Sequence, residues 1–335
     1  MAKRKSMRLL RSLAYNKYKP SVPFLRVLPT DYCNLDCSYC WQRNNDKHMM
    51  GIELFKQCVD RARFFKVGLV SILGGEPTIW PHLFEALEYC NNHHICTDIT
   101  TNGTLLTESY LDKLSGAGLD LLNISVDGLT ATETSKKACL NKAGLLEAIS
   151  GHLRKKTLRI RVNSVICKNN YTFIKDLLSL VRGYDIPISL GYAMYKTESE
   201  FDKNIHFSRD DIGIVKEITA MLRDAKDSGV KLIDPLEYFE SYERFLNGEE
   251  FWVCNYATRR GWINVDPYGF IRDCTKKFGR IKYEFAKLTS DQLQEVRSVL
   301  ASGVMKCNRH CYSNCAFDGA YFAKHKMQFL MSGIT

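Results

Sequence analysis

Three cysteines, Cys33, Cys37 and Cys40, stand in CNLDCSYC with three and then two residues between the thiols. A stretch that short can wrap one compact inorganic centre. Three ligands fall one short of a closed tetrahedral zinc site. They suffice for a 4Fe-4S cube that leaves one iron without a protein thiolate, since a fully ligated cube takes four. An iron left open in this way can bind a substrate or cofactor. Three buried or zinc-bound thiols are the plainer alternative, because cysteine is among the most buried residue types. A second set, Cys254, Cys274, Cys307, Cys311 and Cys315, falls in the C-terminal part of the chain. Five thiols cannot complete two four-thiolate clusters, and four of them can close one tetrahedral site, a structural zinc or a single cluster.

The elements that must position the first set alternate between strand and helix. Runs rich in β-branched residues at 24–30, 69–75, 96–103, 121–128, 159–166 and 188–194 predict six strands. Apolar residues at helical spacing lie between them, as in Ile52, Phe55, Val59 and Ala62, or Ile174, Leu177, Leu178 and Val181. Six strands joined by helical crossovers imply a parallel sheet, either doubly wound or closed into an incomplete barrel. In both, chemistry collects at the carboxyl ends of the strands. There stand the cysteine triplet after the first strand, Gly74, Gly75 and Glu76 after the second, Thr101, Asn102 and Gly103 after the third, and Ser125 and Asp127 after the fourth. Beyond residue 208 two helical stretches, roughly 209–228 and 235–247, lead to WINV, the turn Asp266–Pro267–Tyr268–Gly269, and FIRD, which reads as a hairpin with Pro at its favoured turn position.

CNLDCSYCW, LGGEP and ISVDG, in this order over residues 24–194, resemble the radical S-adenosylmethionine (SAM) enzymes. The resemblance implies an α/β fold, a partial (β/α)6 radical SAM barrel at 21–207, followed by a smaller C-terminal α+β Fe-S cluster cap at 208–335 and preceded by a basic segment at 1–20. It implies that the cluster on Cys33, Cys37 and Cys40 chelates SAM and cleaves it by one electron to a 5'-deoxyadenosyl radical. Gly74, Gly75, Glu76 and Pro77 then match the segment that receives the SAM amino group, and Tyr39 the aromatic residue near the adenine. Asn102, Ser125, Asp127 and Asn163 fall at strand ends that contact the ribose or the methionine part, and Gly191, Tyr192 and Ala193 at the end that meets the adenine. Cys254, Gly269 and Cys274 are similar in spacing to the opening of the SPASM extension. Because Cys307, Cys311 and Cys315 depart from its full pattern, the shortened version sometimes called twitch is expected, with one auxiliary 4Fe-4S centre on Cys254, Cys274, Cys311 and Cys315, Cys307 as the spare, and a structural zinc as the alternative. Cys139, Cys167 and Tyr192 are candidates for a radical-quenching or hydrogen-donating group at the mouth, with core packing as the alternative.

The chain carries 13 cysteines and a net charge of +10, with 45% hydrophobic and 25% charged residues over 335 positions. This is the balance of a globular protein, and it excludes long disorder. Without an apolar run near 18 residues or a cleavable leader, a cytoplasmic location is expected, where disulfides are disfavoured. The basic charge suits an acidic electron donor, a flavodoxin or ferredoxin, and no nucleic-acid-binding signature accompanies it. Lys3, Arg4, Lys5, Arg8 and Arg11 beside Leu9, Leu10 and Leu13 allow peripheral membrane contact. The substrate is open between a peptide and a small molecule. The strand-six ending and the short cap are similar to adenosylhopane synthase-type enzymes, which leaves a lipid substrate among the alternatives, as well as a non-catalytic Fe-S or zinc scaffold.

Overall fold

The computed structural model describes residues 24–40, 46–195, 201–249, 262–273 and 279–305, together with 312, 313 and 317. The basic N-terminal segment and Cys254, Cys274, Cys307, Cys311 and Cys315 lie outside the described residues. Six strands follow the expected order: β1 (Phe24–Val27), β2 (Leu69–Ile72), β3 (Cys96–Thr101), β4 (Leu121–Ser125), β5 (Arg159–Ile166) and β6 (Ile188–Tyr192). The helices between them are α1 (Ile52–Phe64), α2 (Leu83–Asn92), α3 (Glu108–Gly116), α4 (Leu145–Lys155) and α5 (Tyr171–Gly183). All five neighbouring pairs from β1 to β6 are parallel. Each crossover helix buries one apolar stripe on the sheet, for example Phe55, Cys58, Val59 and Ala62 of α1. The strands stop short of the β-branched runs because glycine or polar residues follow: Gly74 has φ +143° and Gly103 φ +74°, conformations that end extended backbone.

The sheet does not end at β1. β7 (Ile263–Val265) lies parallel to β1 on its outer side, and β8 (Phe270–Arg272) and β9 (Arg280–Glu284) continue antiparallel, so that the order is β6-β5-β4-β3-β2-β1-β7-β8-β9. The expected hairpin at Asp266–Gly269 is present, closed by Gly269 N donating to Asp266 O at 2.9 Å with Gly269 at φ +86°. It extends the barrel sheet itself. After β6 come α6 (Ile212–Asp227), α7 (Leu236–Glu240) and α8 (Tyr242–Leu246), and after β9 comes α9 (Ser290–Met305). The single stretch expected at 235–247 divides at Ser241, whose hydroxyl bonds the Glu237 carbonyl and meets the Tyr312 hydroxyl at 2.6 Å.

The two faces of the central strands differ in chemistry. Leu25, Val27, Val70, Ile72, Ile99, Leu122, Ile124, Ile160 and Val162 alternate toward the helices and are buried. On the opposite face stand Arg26, Ser71 and Asp98 in one register row and Asn123 with Arg161 in the next. They bond one another: Ser71 to Asp98, and Arg161 to Asn123. Burial raises the pKa of Asp98, while the Ser71 hydroxyl, Arg161 and Arg26 act in the other direction. The inner face of the barrel is therefore polar and charged rather than oily. No helix among the described residues is long and apolar enough to cross a membrane.

Candidate functional site

Cys33, Cys37 and Cys40 share the wall of one cavity of about 120 Å³ with Gly74, Gly75, Glu76, Asn102, Ser125 and Lys137. The thiols are met by donors. Cys33 Sγ accepts from Leu35 N at 3.4 Å and Asn102 Nδ2 at 3.6 Å, and Cys37 Sγ from Lys136 N at 3.2 Å. Burial pushes the Cys33 thiol up, opposed by those two hydrogen bonds. Among the described residues no group of three Cys, His, Asp or Glu side chains gathers as a mononuclear metal site would. Three soft thiolate donors around a shared space, with no imidazole among them, suit a multi-iron cluster in which each sulfur reaches a different iron. The residues present thus fit a cube with one open corner.

The Gly-Gly-Glu segment holds this loop. A Cβ on Gly74 would lie 2.2 Å from Thr30 O, and one on Gly75 1.9 Å from Tyr32 O. The glycines let the end of β2 run against the backbone that enters the cysteine loop, with Gly75 N donating to Thr30 O at 2.8 Å and Glu76 N to Tyr32 O at 2.9 Å. The Glu76 carboxylate, fully buried, accepts four hydrogen bonds: Thr78 N at 3.0 Å, Thr78 Oγ1 at 2.5 Å, Thr101 Oγ1 at 2.6 Å and Asn102 N at 2.7 Å. Pro77 begins the short 3-10 turn that follows. Asn102 reaches across to Asn34 Oδ1 at 2.8 Å as well as to Cys33, joining β3 to the loop.

Asp127 is a second hub. Its carboxylate accepts from the Tyr39 hydroxyl, from Ser135 Oγ at 2.6 Å and from Val165 N at 2.8 Å. Burial and then the Asp127 charge drive the Tyr39 hydroxyl far above its ordinary pKa, so it remains a donor. Lys137, which the sequence reading did not single out, completes the group: its Nζ donates to Tyr39 Oη at 2.7 Å and lies 3.9 Å from Asp127. Burial pulls its ammonium pKa down, but Asp127 first and then the neighbouring Cys40, Cys37 and Cys33 side chains outweigh that, and the pKa ends above the usual value. Two adjacent lysines in a loop gave no periodic signal; only the fold shows which one enters the cavity.

The remaining candidates fall at varied distances from the mouth. Ser125 lies on the cavity wall, and its register partner Asn163 carries a buried Oδ1 with no hydrogen-bond partner. Gly191 pairs with Val165, and Ala193 packs with Cys167 and Ile205 against Tyr39. Tyr192 instead stacks on Tyr242 at 3.7 Å, within an aromatic cluster that includes Phe207 and Tyr238. Cys139 is buried against Gly103, where a Cβ would sit 2.3 Å from its sulfur, and burial pushes its thiol up to about 11. Cys167 is likewise buried and raised.

The Radical SAM superfamily profile matches residues 27–207. A GTP 3',8-cyclase of Clostridium perfringens is 26% identical over 311 residues, covering 86% of this chain and 91% of the relative. A probable GTP 3',8-cyclase of Methanocaldococcus jannaschii is 30% identical over 272 residues, covering 77% and 87%. Among solved structures, Streptococcus suis SuiB bound to SAM superposes with a TM-score of 0.64 at 18% identity, covering 91% of this chain and 76% of that one. The enzyme anSMEcpe with bound SAM gives 0.60 at 20% identity, covering 93% and 97%. These last two likenesses are likenesses of fold.

Proposed function

Because the chain belongs to the radical SAM superfamily, we propose that Cys33, Cys37 and Cys40 hold its 4Fe-4S cluster and that the enzyme acts on a polar small molecule seated against the inner face of the barrel. When bound, the cluster supplies the electron that cleaves SAM and so opens radical chemistry at an unactivated carbon. The protein's part is to bind, orient and shield. Lys137 offers a cation beside the thiols for the methionine carboxylate, and its bond to Tyr39 Oη fixes where that charge sits. Asn102 holds Cys33 by a donated hydrogen bond, and Ser125 with the unpartnered Asn163 Oδ1 offers hydroxyl and amide groups for a ribose.

The observation that carries this reading is the meeting of the three thiols with Gly74–Glu76, Asn102, Ser125 and Lys137 around one cavity. The polar and charged inner face, with Arg26, Asp98, Asn123 and Arg161, favours a polar or anionic substrate over the lipid alternative, since covering such groups with hydrocarbon is costly. The relatives are named for a reaction of a nucleotide, which is consistent with that polarity. SuiB and anSMEcpe have been solved with peptides, so a peptide substrate is the second reading.

Replacing Cys33, Cys37 and Cys40 together with Ala is expected to abolish 5'-deoxyadenosine formation by the reduced protein; persistence of SAM cleavage would overturn the site. We further propose that four of Cys254, Cys274, Cys307, Cys311 and Cys315 hold an auxiliary 4Fe-4S cluster, and that a flavodoxin or ferredoxin delivers the electron. Anaerobically reconstituted protein then contains about eight iron atoms per chain, and about four if the auxiliary centre is absent.

A further inference from the structure

The cysteine loop is gripped from the far end of the chain. Its entry and exit are drawn together into a neck: Met50 N donates to Pro29 O at 2.7 Å, and Thr30 Oγ1 to His48 O at 2.9 Å. Both sides of that neck touch the β7–β8 hairpin. On the entry side Asp31, two residues before Cys33, forms an ion pair with Arg272 of β8, and both side chains are about nine-tenths buried. On the exit side the Tyr268 ring stacks on His48 with centroids 4.0 Å apart and planes 4° from parallel, while its hydroxyl donates to Asp46 Oδ2 at 2.8 Å. The hairpin is itself braced. Asp266 Oδ1 accepts from Tyr268 N at 2.9 Å and Phe270 N at 3.0 Å, and Arg280 pairs with Asp266 and lies 4.5 Å over the Tyr268 ring.

We propose that this hairpin is a clamp, in which Arg272 and Tyr268 act as positioning residues that hold the Cys33–Cys40 loop in the shape that receives the cluster. The contacts span 241 and 222 residues of sequence, so neither side forms until the C-terminal strands have joined the sheet. A three-thiol site has no fourth protein ligand to enforce its shape, and preorganisation has to come from what surrounds the loop. The buried pair suits that task more than it suits general stability. With Arg272 removed, the Asp31 charge is left buried without a partner, and the loop opens to hydrate it. The role of the loop rests on the cluster assignment above; the clamp itself does not.

The test uses the full chain in its cluster-free form, followed by amide hydrogen exchange. The amides of Gly75, Glu76 and Met50 bond Thr30, Tyr32 and Pro29 and so report docking of the loop. Arg272→Gln is expected to speed their exchange about tenfold or more while the amides of β4 and β5 are unchanged. Asp31→Asn added to Arg272→Gln, which leaves no uncompensated charge, recovers part of the protection, as does Arg272→Lys. Tyr268→Ala, at an exposed hairpin tip, speeds Met50 most and keeps the test open if Arg272→Gln fails to fold. In reconstituted protein the same variants lose iron to a chelator faster than wild type. Unchanged exchange in both Arg272→Gln and Tyr268→Ala would overturn the clamp. Retained SAM cleavage in the triple cysteine variant would overturn the cluster assignment and leave the exchange result standing.

Discussion

Gly75→Ala probes the contact on which the geometry of the mouth depends. The new Cβ would lie 1.9 Å from Tyr32 O, 2.2 Å from Tyr32 C and 2.7 Å from Asp31 C, all of them backbone atoms. Comfortable non-bonded contact begins near about 3.5 Å, so the chain at residues 31–32 has to retreat by roughly 1.5 Å. That movement breaks Gly75 N to Thr30 O and Glu76 N to Tyr32 O. Each buried amide left without a partner costs about 1–3 kcal/mol, which puts the substitution at about 2–6 kcal/mol. A domain of ordinary stability, about 5–15 kcal/mol, can survive this by releasing the loop instead of unfolding. The expected result is a folded variant that retains less iron after desalting and forms little 5'-deoxyadenosine, with its melting temperature lowered. Gly128→Ala is the control: the nearest atom to its Cβ is Thr130 O at 3.4 Å, and the change is expected to stay within about 0.5 kcal/mol. Full iron and wild-type cleavage in Gly75→Ala would refute the packing argument.

Lys137→Met keeps the length of the side chain and removes the cation; the KM for SAM is expected to rise about tenfold or more with iron content unchanged, whereas an unaltered KM would remove Lys137 from carboxylate binding. Asp98→Asn addresses the raised carboxylate of the inner face. A carboxyl whose folded pKa exceeds its unfolded one supports the fold below the unfolded pKa and withdraws that support as pH rises through the folded pKa. Thermal melts should therefore find Asp98→Asn more stable than wild type at pH 8, with the gain lost as pH falls below the ordinary carboxylate pKa of about 4, and an equal gain at pH 8 and about pH 3 would contradict the burial cause. In cluster-free folded protein, iodoacetamide at pH 8 is expected to modify the half-buried Cys33 and Cys40 before Cys58 and Cys139, whose thiols burial pushes to about 12 and about 11. Peptide mapping over a pH series should show Cys139 labelling rise about tenfold per unit, and early labelling of Cys139 would count against its burial.

The order of strands and helices was legible because β-branched runs and helical apolar spacing alternate between Phe24 and Tyr192, broken by the cysteine loop and the loop that carries Lys137. Their carboxyl ends followed from the parallel topology alone, and that placed the thiols, Gly75, Asn102 and Ser125 in one mouth. What the sequence concealed is the direction of each interaction. Gly74 and Gly75 suggest room for a ligand, yet the atoms closest to them belong to Thr30 and Tyr32. Lys137 is one of a pair in an irregular loop, and only the tertiary fold separates it from Lys136. The hairpin at Asp266–Gly269 was visible from its turn residues, but its pairing with β1 is non-local: a three-residue strand carries too little pattern to announce its neighbour. The same holds for Arg272 and Asp31, whose attraction is a product of the completed sheet.

The hydrogen bonding of Glu76 bears on how the mouth would recognise SAM. Thr78 N, Thr78 Oγ1 and Thr101 Oγ1 all donate to Oε1, and Asn102 N donates to Oε2. These bonds fix the carboxylate across the ends of β2 and β3 and leave acceptor capacity on Oε2, which receives a single hydrogen bond. Asp127 is engaged in the same way by Tyr39, Ser135 and Val165. Both acids therefore act by fixing other groups: Glu76 sets the β2 backbone, and Asp127, through Tyr39, sets the ammonium of Lys137. Under the proposed cluster assignment, a zwitterion bound at the three thiols would share its cavity with the Glu76 carboxylate and the Lys137 ammonium, one partner for each of its charges.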